Sequence, residues 1–223
     1  MLSLRSWHPR AATAVAAALV VLAPAAAAAA SAAPAELPPA LSVSAAFERL
    51  SDLTVADPRP MAGYSRSRFP HWAQQGRGCD TREVVLARDG EDVKQDEQCR
   101  AVSGAWYSEY DGREFTSASQ IDIDHMVPLA QAWRSGADVW SDDRRRRFAN
   151  DLEGPQLIAV SAASNRSKGD QSPDQWRPPL RSYWCTYSRA WVDIKSRYAL
   201  TVTEPEMEAL TEMLGTCDLT EGE

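Results

Sequence analysis

Apolar residues recur at Val43, Ala46, Phe47, Leu50 and Leu53, a three- and four-residue step that predicts a helix over 43–53. Asp57-Pro58-Arg59-Pro60 breaks it. The stretch 64–78, rich in aromatics and glycine, reads as an ordered loop. Val84, Val85 and Leu86 follow in a run short enough to leave helix and strand both open, and Asp89-Gly90 ends it. Segments 99–107 and 113–116 have strand character, with Asp111-Gly112 as the hairpin signal between them. Over 120–125 the pattern alternates. Ile121 and Ile123 take one face, and Asp122 and Asp124 are expected on the other, away from the core.

Pro128 suits the start of a helix whose apolar stripe is Leu129, Ala132 and Trp133, with Gly136 as its stop. Ser141-Asp142-Asp143 opens another, with acids in its first turn and Arg144 to Arg147 behind them. Residues 157–160 predict a strand, 161–168 a helix start and 175–179 an extended segment restricted by proline. Tyr183, Tyr187, Trp191, Ile194 and Tyr198 fall at helical steps within 180–198, so they are read as core. Thr203-Glu204-Pro205-Glu206 forms a capping box for a last helix ending near Leu214. The sum is an α+β fold.

The amino terminus reads differently. Arg5 and Arg10 precede an apolar run ending in alanines, the pattern of a secretory signal peptide over residues 1–33. A flexible lead over 34–42 and a single domain over 43–223 are expected to follow. Without the leader, 22 basic residues face 31 acidic ones, a balance of −9. That charge argues against a general nucleic-acid coat, yet leaves room for a local basic groove. Four cysteines in an exported chain favour two disulfides. Of the three pairings, Cys79–Cys99 and Cys185–Cys217 is preferred, because each pair brackets one contiguous block.

Only His71 and His125 lie beyond the leader, so the choice of a catalytic base is narrow. Asp124-His125 places a carboxylate beside an imidazole at a strand end. Asn165-Arg166-Ser167-Lys168-Gly169-Asp170 adds a carboxamide and a lysine. An imidazole with a reference pKa of about 6.5 can take a proton from water near neutrality. One carboxylate and one carboxamide are enough for a cation that keeps several waters.

Asp124-His125-Met126-Val127-Pro128, Asn150-Asp151-Leu152 and Asn165-Arg166-Ser167-Lys168-Gly169-Asp170, in this order, resemble the three parts of the HNH endonuclease motif. That family carries the ββα-metal core also found in the HNH domain of CRISPR effector nucleases. More specifically, the chain resembles secreted actinobacterial HNH-family proteins, through Cys79-Asp80-Thr81-Arg82, Ala132-Trp133, Trp176 and Pro178-Pro179. The resemblance implies that His125 is the general base, that Asp124 and Asn165 hold one metal ion, that Asn150 orients the base, and that Lys168 faces the scissile phosphate. With no third histidine in the site, it implies Mg²⁺ or Mn²⁺ rather than tightly held Zn²⁺. Candidate substrate contacts are Arg144, Arg145, Arg166 and His71.

The expected protein is a secreted, monomeric endonuclease cutting DNA, with RNA as a second candidate substrate and no membrane association after leader removal. A non-catalytic exported binding module and a metal-dependent hydrolase of another class are the rival readings. The absence of a His-Glu-x-x-His pattern weighs against a peptidase.

Overall fold

The computed structural model describes residue 38 and residues 40–217. The expected signal peptide and most of the lead lie outside the described residues. The first helix, α1 (Val43–Asp52), starts where Ser42 accepts a hydrogen bond from the Ala45 amide. The loop after it contains a short hairpin, β1 (Gln74–Gly76) with β2 (Cys79–Asp80). The open choice at 81–89 resolves as a helix, α2 (Thr81–Asp89), with the Asp80 side chain accepting from the Glu83 amide as its cap.

Asp89-Gly90 ends this helix as expected, but no loop follows. Gly90 begins β3 (Gly90–Gln95), which pairs with β4 (Ala101–Ser108), and β4 pairs with β5 (Arg113–Phe115), all antiparallel. Gly90 fits the junction because a Cβ there would lie 2.5 Å from the Trp106 indole nitrogen.

A second antiparallel pair holds the residues of interest: β6 (Ile121–His125) and β7 (Leu157–Ser161), with Asp124 opposite Ile158 and His125 opposite Leu157. Between them run α3 (Leu129–Arg134) and α4 (Asp142–Ala149). After β7 comes α5 (Ala162–Lys168), capped by the Ser161 hydroxyl. Among the described residues the outer edge of β7 has no strand partner, and it is closed by side chains. Asp89 accepts from the Ala159 amide at 2.8 Å, Arg88 donates to the Leu157 carbonyl at 2.6 Å, and Ser108 accepts from the Ser161 amide at 2.9 Å. Satisfied edge groups remove the template for pairing with another chain.

Helices α6 (Trp184–Arg197) and α7 (Glu204–Leu214) pack with α1 on the larger core, where Tyr187, Trp191 and Ile194 are buried as their spacing predicts. The capping box at Thr203 forms, and Glu206 also pairs with the buried Lys195 at 2.9 Å. A smaller core of Val85, Leu86, Trp106, Ile121, Ile123 and Leu157 lies under α2. Both isoleucines of β6 therefore face inward as expected. The opposite face is not open to solvent, however: Asp124 is 5% exposed. Helix α5 and Tyr110 cover it, a tertiary contact that strand alternation does not encode.

The disulfides are Cys79–Cys99 and Cys185–Cys217, the expected pairing. Among the described residues no helix is long and apolar enough to cross a membrane. Each bridge closes a loop whose cross-link is worth about 2–4 kcal/mol. Reduction is therefore expected to lower the melting temperature by roughly 2–4 °C per kcal/mol lost, read by differential scanning calorimetry with and without reductant.

Candidate active site

Asp124 sits at the centre of a buried polar cluster. Its Oδ2 accepts from Lys168 Nζ at 2.7 Å and from the Tyr110 hydroxyl at 2.6 Å. Burial keeps Tyr110 protonated far above the usual range, so it serves as a donor. Burial also raises the Asp124 carboxyl, against the pull of Lys168 and Tyr110, and lowers the Lys168 ammonium, against the pull of Asp124. Lys168 donates further to the His125 carbonyl at 2.9 Å, which favours its charged form. Among the described residues no hydrogen bond engages Asp124 Oδ1, which leaves this oxygen for the adjoining cleft.

That cleft has a volume of about 250 Å³, and Arg66, Asp124, His125 and Asn165 line it. His125 Nε2 lies 3.0 Å from the Ala149 carbonyl. A carbonyl only accepts, so Nε2 carries the proton and the free lone pair is on Nδ1. Trp72 stacks on the imidazole with ring centres 5.7 Å apart. Burial pushes the His125 imidazole down to about 3, the Ala149 carbonyl opposing and Arg66 assisting, so it is neutral near pH 7.

The backbone around the imidazole is fixed by two side chains. Gln156 accepts from the Val127 amide and donates to the Val127 carbonyl, holding the turn after His125. Asn150 accepts from the Ala73 amide at 2.8 Å and the Thr81 hydroxyl at 2.7 Å, and donates to the Pro70 and Arg146 carbonyls. It thus ties the loop carrying His71 and Trp72 to the end of α4. Asn165 donates from Nδ2 to Asp122 at 3.1 Å, which turns its Oδ1 to other partners.

The structure brings Asp124, His125 and Asn165 to one cleft and separates others from it. Lys168 is fully buried, so it does not face a phosphate; its charge meets the carboxylate beside it instead. Arg145 is 2% exposed and donates to the Arg68, Ala137 and Trp140 carbonyls, so it is no substrate contact. Arg144 lies over the Trp140 ring at 4.4 Å and donates to the Tyr198 carbonyl. Arg166 is exposed on α5. His71 donates from Nδ1 to the Phe69 carbonyl, with its ring 6.4 Å from that of His125. Tyr110, Trp72, Gln156 and Arg66 join the site without having stood out in the sequence. Only Arg66 carried a signal, as a cation inside the aromatic loop.

Among the described residues no group of three or more His, Cys, Asp or Glu side chains could hold a metal. One carboxylate oxygen and one carboxamide oxygen fit a hard cation that keeps most of its water, and do not fit tightly held zinc.

Two stability predictions arise here. Lys168→Met leaves the Asp124 carboxylate buried without its partner and is expected to cost about 3–5 kcal/mol, measured by denaturant unfolding; adding Asp124→Leu should recover much of it. His125 has a lower pKa folded than its unfolded value of about 6.5, so its contribution is full above pH 6.5 and is lost as pH falls toward about 3. His125→Gln should therefore flatten the acid-side stability curve by up to about 1.4 kcal/mol per pH unit.

Residues 80–213 match the family described as GmrSD restriction endonucleases, C-terminal domain. An uncharacterized secreted protein of Arthroderma benhamiae is 55% identical over 186 residues, covering 83% of this chain and 91% of its own length. That relative is fungal, so the likeness is not confined to actinobacteria. No solved structure matches. The protein is a secreted one, in keeping with its two disulfides. With the match spanning most of the folded chain, the protein belongs to the GmrSD restriction endonuclease C-terminal domain family, a family of nucleases.

Proposed function

We propose that the protein is an HNH-type endonuclease that uses one divalent metal ion to hydrolyse phosphodiesters in DNA, with RNA as a second candidate substrate. The observation that carries this reading is the His125 imidazole: neutral, held through Nε2 by the Ala149 carbonyl, and lining one cleft with Asp124 and Asn165. Its Nδ1 accepts a proton from water as the attacking oxygen approaches phosphorus. Trp72 and the Ala149 carbonyl limit ring rotation, so orientation is fixed before substrate arrives. A base this deeply lowered is weak, and a phosphate bound at Arg66 strengthens it by bringing negative charge beside the imidazole.

Asp124 Oδ1 and Asn165 Oδ1 would hold the cation. When bound, a Mg²⁺ ion supplies charge neutralisation at the phosphate and at the leaving oxygen. Lys168 and Tyr110 fix the Asp124 carboxylate from behind, and Asn150 keeps the Trp72 loop in place.

Purified protein is expected to nick supercoiled plasmid with Mg²⁺ or Mn²⁺ and to stop in chelator. His125→Ala should abolish nicking without unfolding the protein. Asn165→Ala should raise the metal concentration giving half activity. Unnicked plasmid with every divalent ion tried would favour the non-catalytic binding module.

A further inference from the structure

The backbone is strained at one residue beside the cleft. Five non-glycine residues adopt positive φ among the described residues, and Trp72, at 58°, is the one aromatic. A glycine takes that conformation freely, whereas a bulky side chain bears it badly. Such a residue persists only where its surroundings over-determine it. Here one carboxamide spans it. Asn150 Nδ2 donates to the Pro70 carbonyl at 2.7 Å, and Asn150 Oδ1 accepts from the Ala73 amide at 2.8 Å. The two anchored residues flank His71-Trp72. The Thr81 amide fixes the far side through the Ala73 carbonyl at 3.0 Å, and Phe69, buried in the larger core, fixes the near side. What the strained residue delivers is its ring: the indole lies 28° from parallel with the His125 imidazole.

We propose that Trp72 is a positioning residue, kept in a left-handed backbone by the Asn150 clamp so that its indole holds the His125 imidazole, at a cost in stability. The proposal rests on the nuclease reading for what the imidazole does. It adds that Asn150 acts on the base through Trp72, and that folding and activity make opposite demands at position 72.

Three measurements test it. In calorimetry, Trp72→Gly should melt about 1–4 °C above Trp72→Ala, the reverse of the usual order, because only glycine relieves the backbone. In proton NMR, the His125 ring protons lie over an indole face, so their signals should move downfield in both variants. In plasmid nicking, both variants should lose roughly ten- to a hundredfold in kcat with the metal concentration for half activity unchanged, and Trp72→Phe, which restores a flat ring, should keep most of the rate. Asn150→Asp, which removes the donor to Pro70, should lower kcat in the native background and add little in Trp72→Gly. Alanine melting at or above glycine would overturn the strained clamp. Undiminished kcat in Trp72→Ala, or equal losses from Asn150→Asp in both backgrounds, would overturn the positioning role. The glycine-above-alanine order and the downfield shift, in a protein that never nicks plasmid, would support the clamp and sink the nuclease reading alone.

Discussion

A carboxylate held under a helix governs this structure. Asp124 can stay buried only because Lys168 and Tyr110 approach the same oxygen from the interior. Desolvating either charge alone is expensive, and the pair is tolerable because three polar groups are satisfied together. The arrangement fixes the distance between β6 and α5, and with it the spacing of the groups that those two elements carry on the cleft wall. It also divides the carboxylate into a structural oxygen and an oxygen left for the cleft.

The surrounding elements are arranged to protect that pair. A two-stranded sheet has two edges to satisfy, and β7 closes its outer one with Asp89, Arg88 and Ser108 instead of another strand. Gln156 acts similarly beyond the strand end, pairing with both backbone groups of Val127. Asn150 joins the Trp72 loop and the start of α2 to α4 through three hydrogen bonds, with a fourth back to the Arg146 carbonyl within α4. Side chains thus replace regular ladders wherever the fold bends around the site.

Most elements were legible because their signals are local. The steps at Val43, Ala46 and Leu50, the cap at Ser141 and the capping box at Thr203 each need only a few neighbouring residues. The site was legible in part: Asp124, His125 and Asn165 meet at one cleft, whereas Lys168 and Arg145 are interior. The misplacement at β6 has a definite cause. Whether its polar face meets water or another helix is decided by a contact 44 positions away, and alternation along the strand carries no record of α5. Tyr110 was invisible for a related reason, since an isolated tyrosine beside a turn does not announce its partner.

The tether at Asn150 spans 77 residues to Ala73 and 80 to Pro70, and the imidazole's carbonyl anchor lies 24 residues from it. None of these contacts can form in a chain that is still extended. The cleft therefore has no counterpart in an unfolded or partly folded chain: it is complete only once segments about 80 positions apart have met.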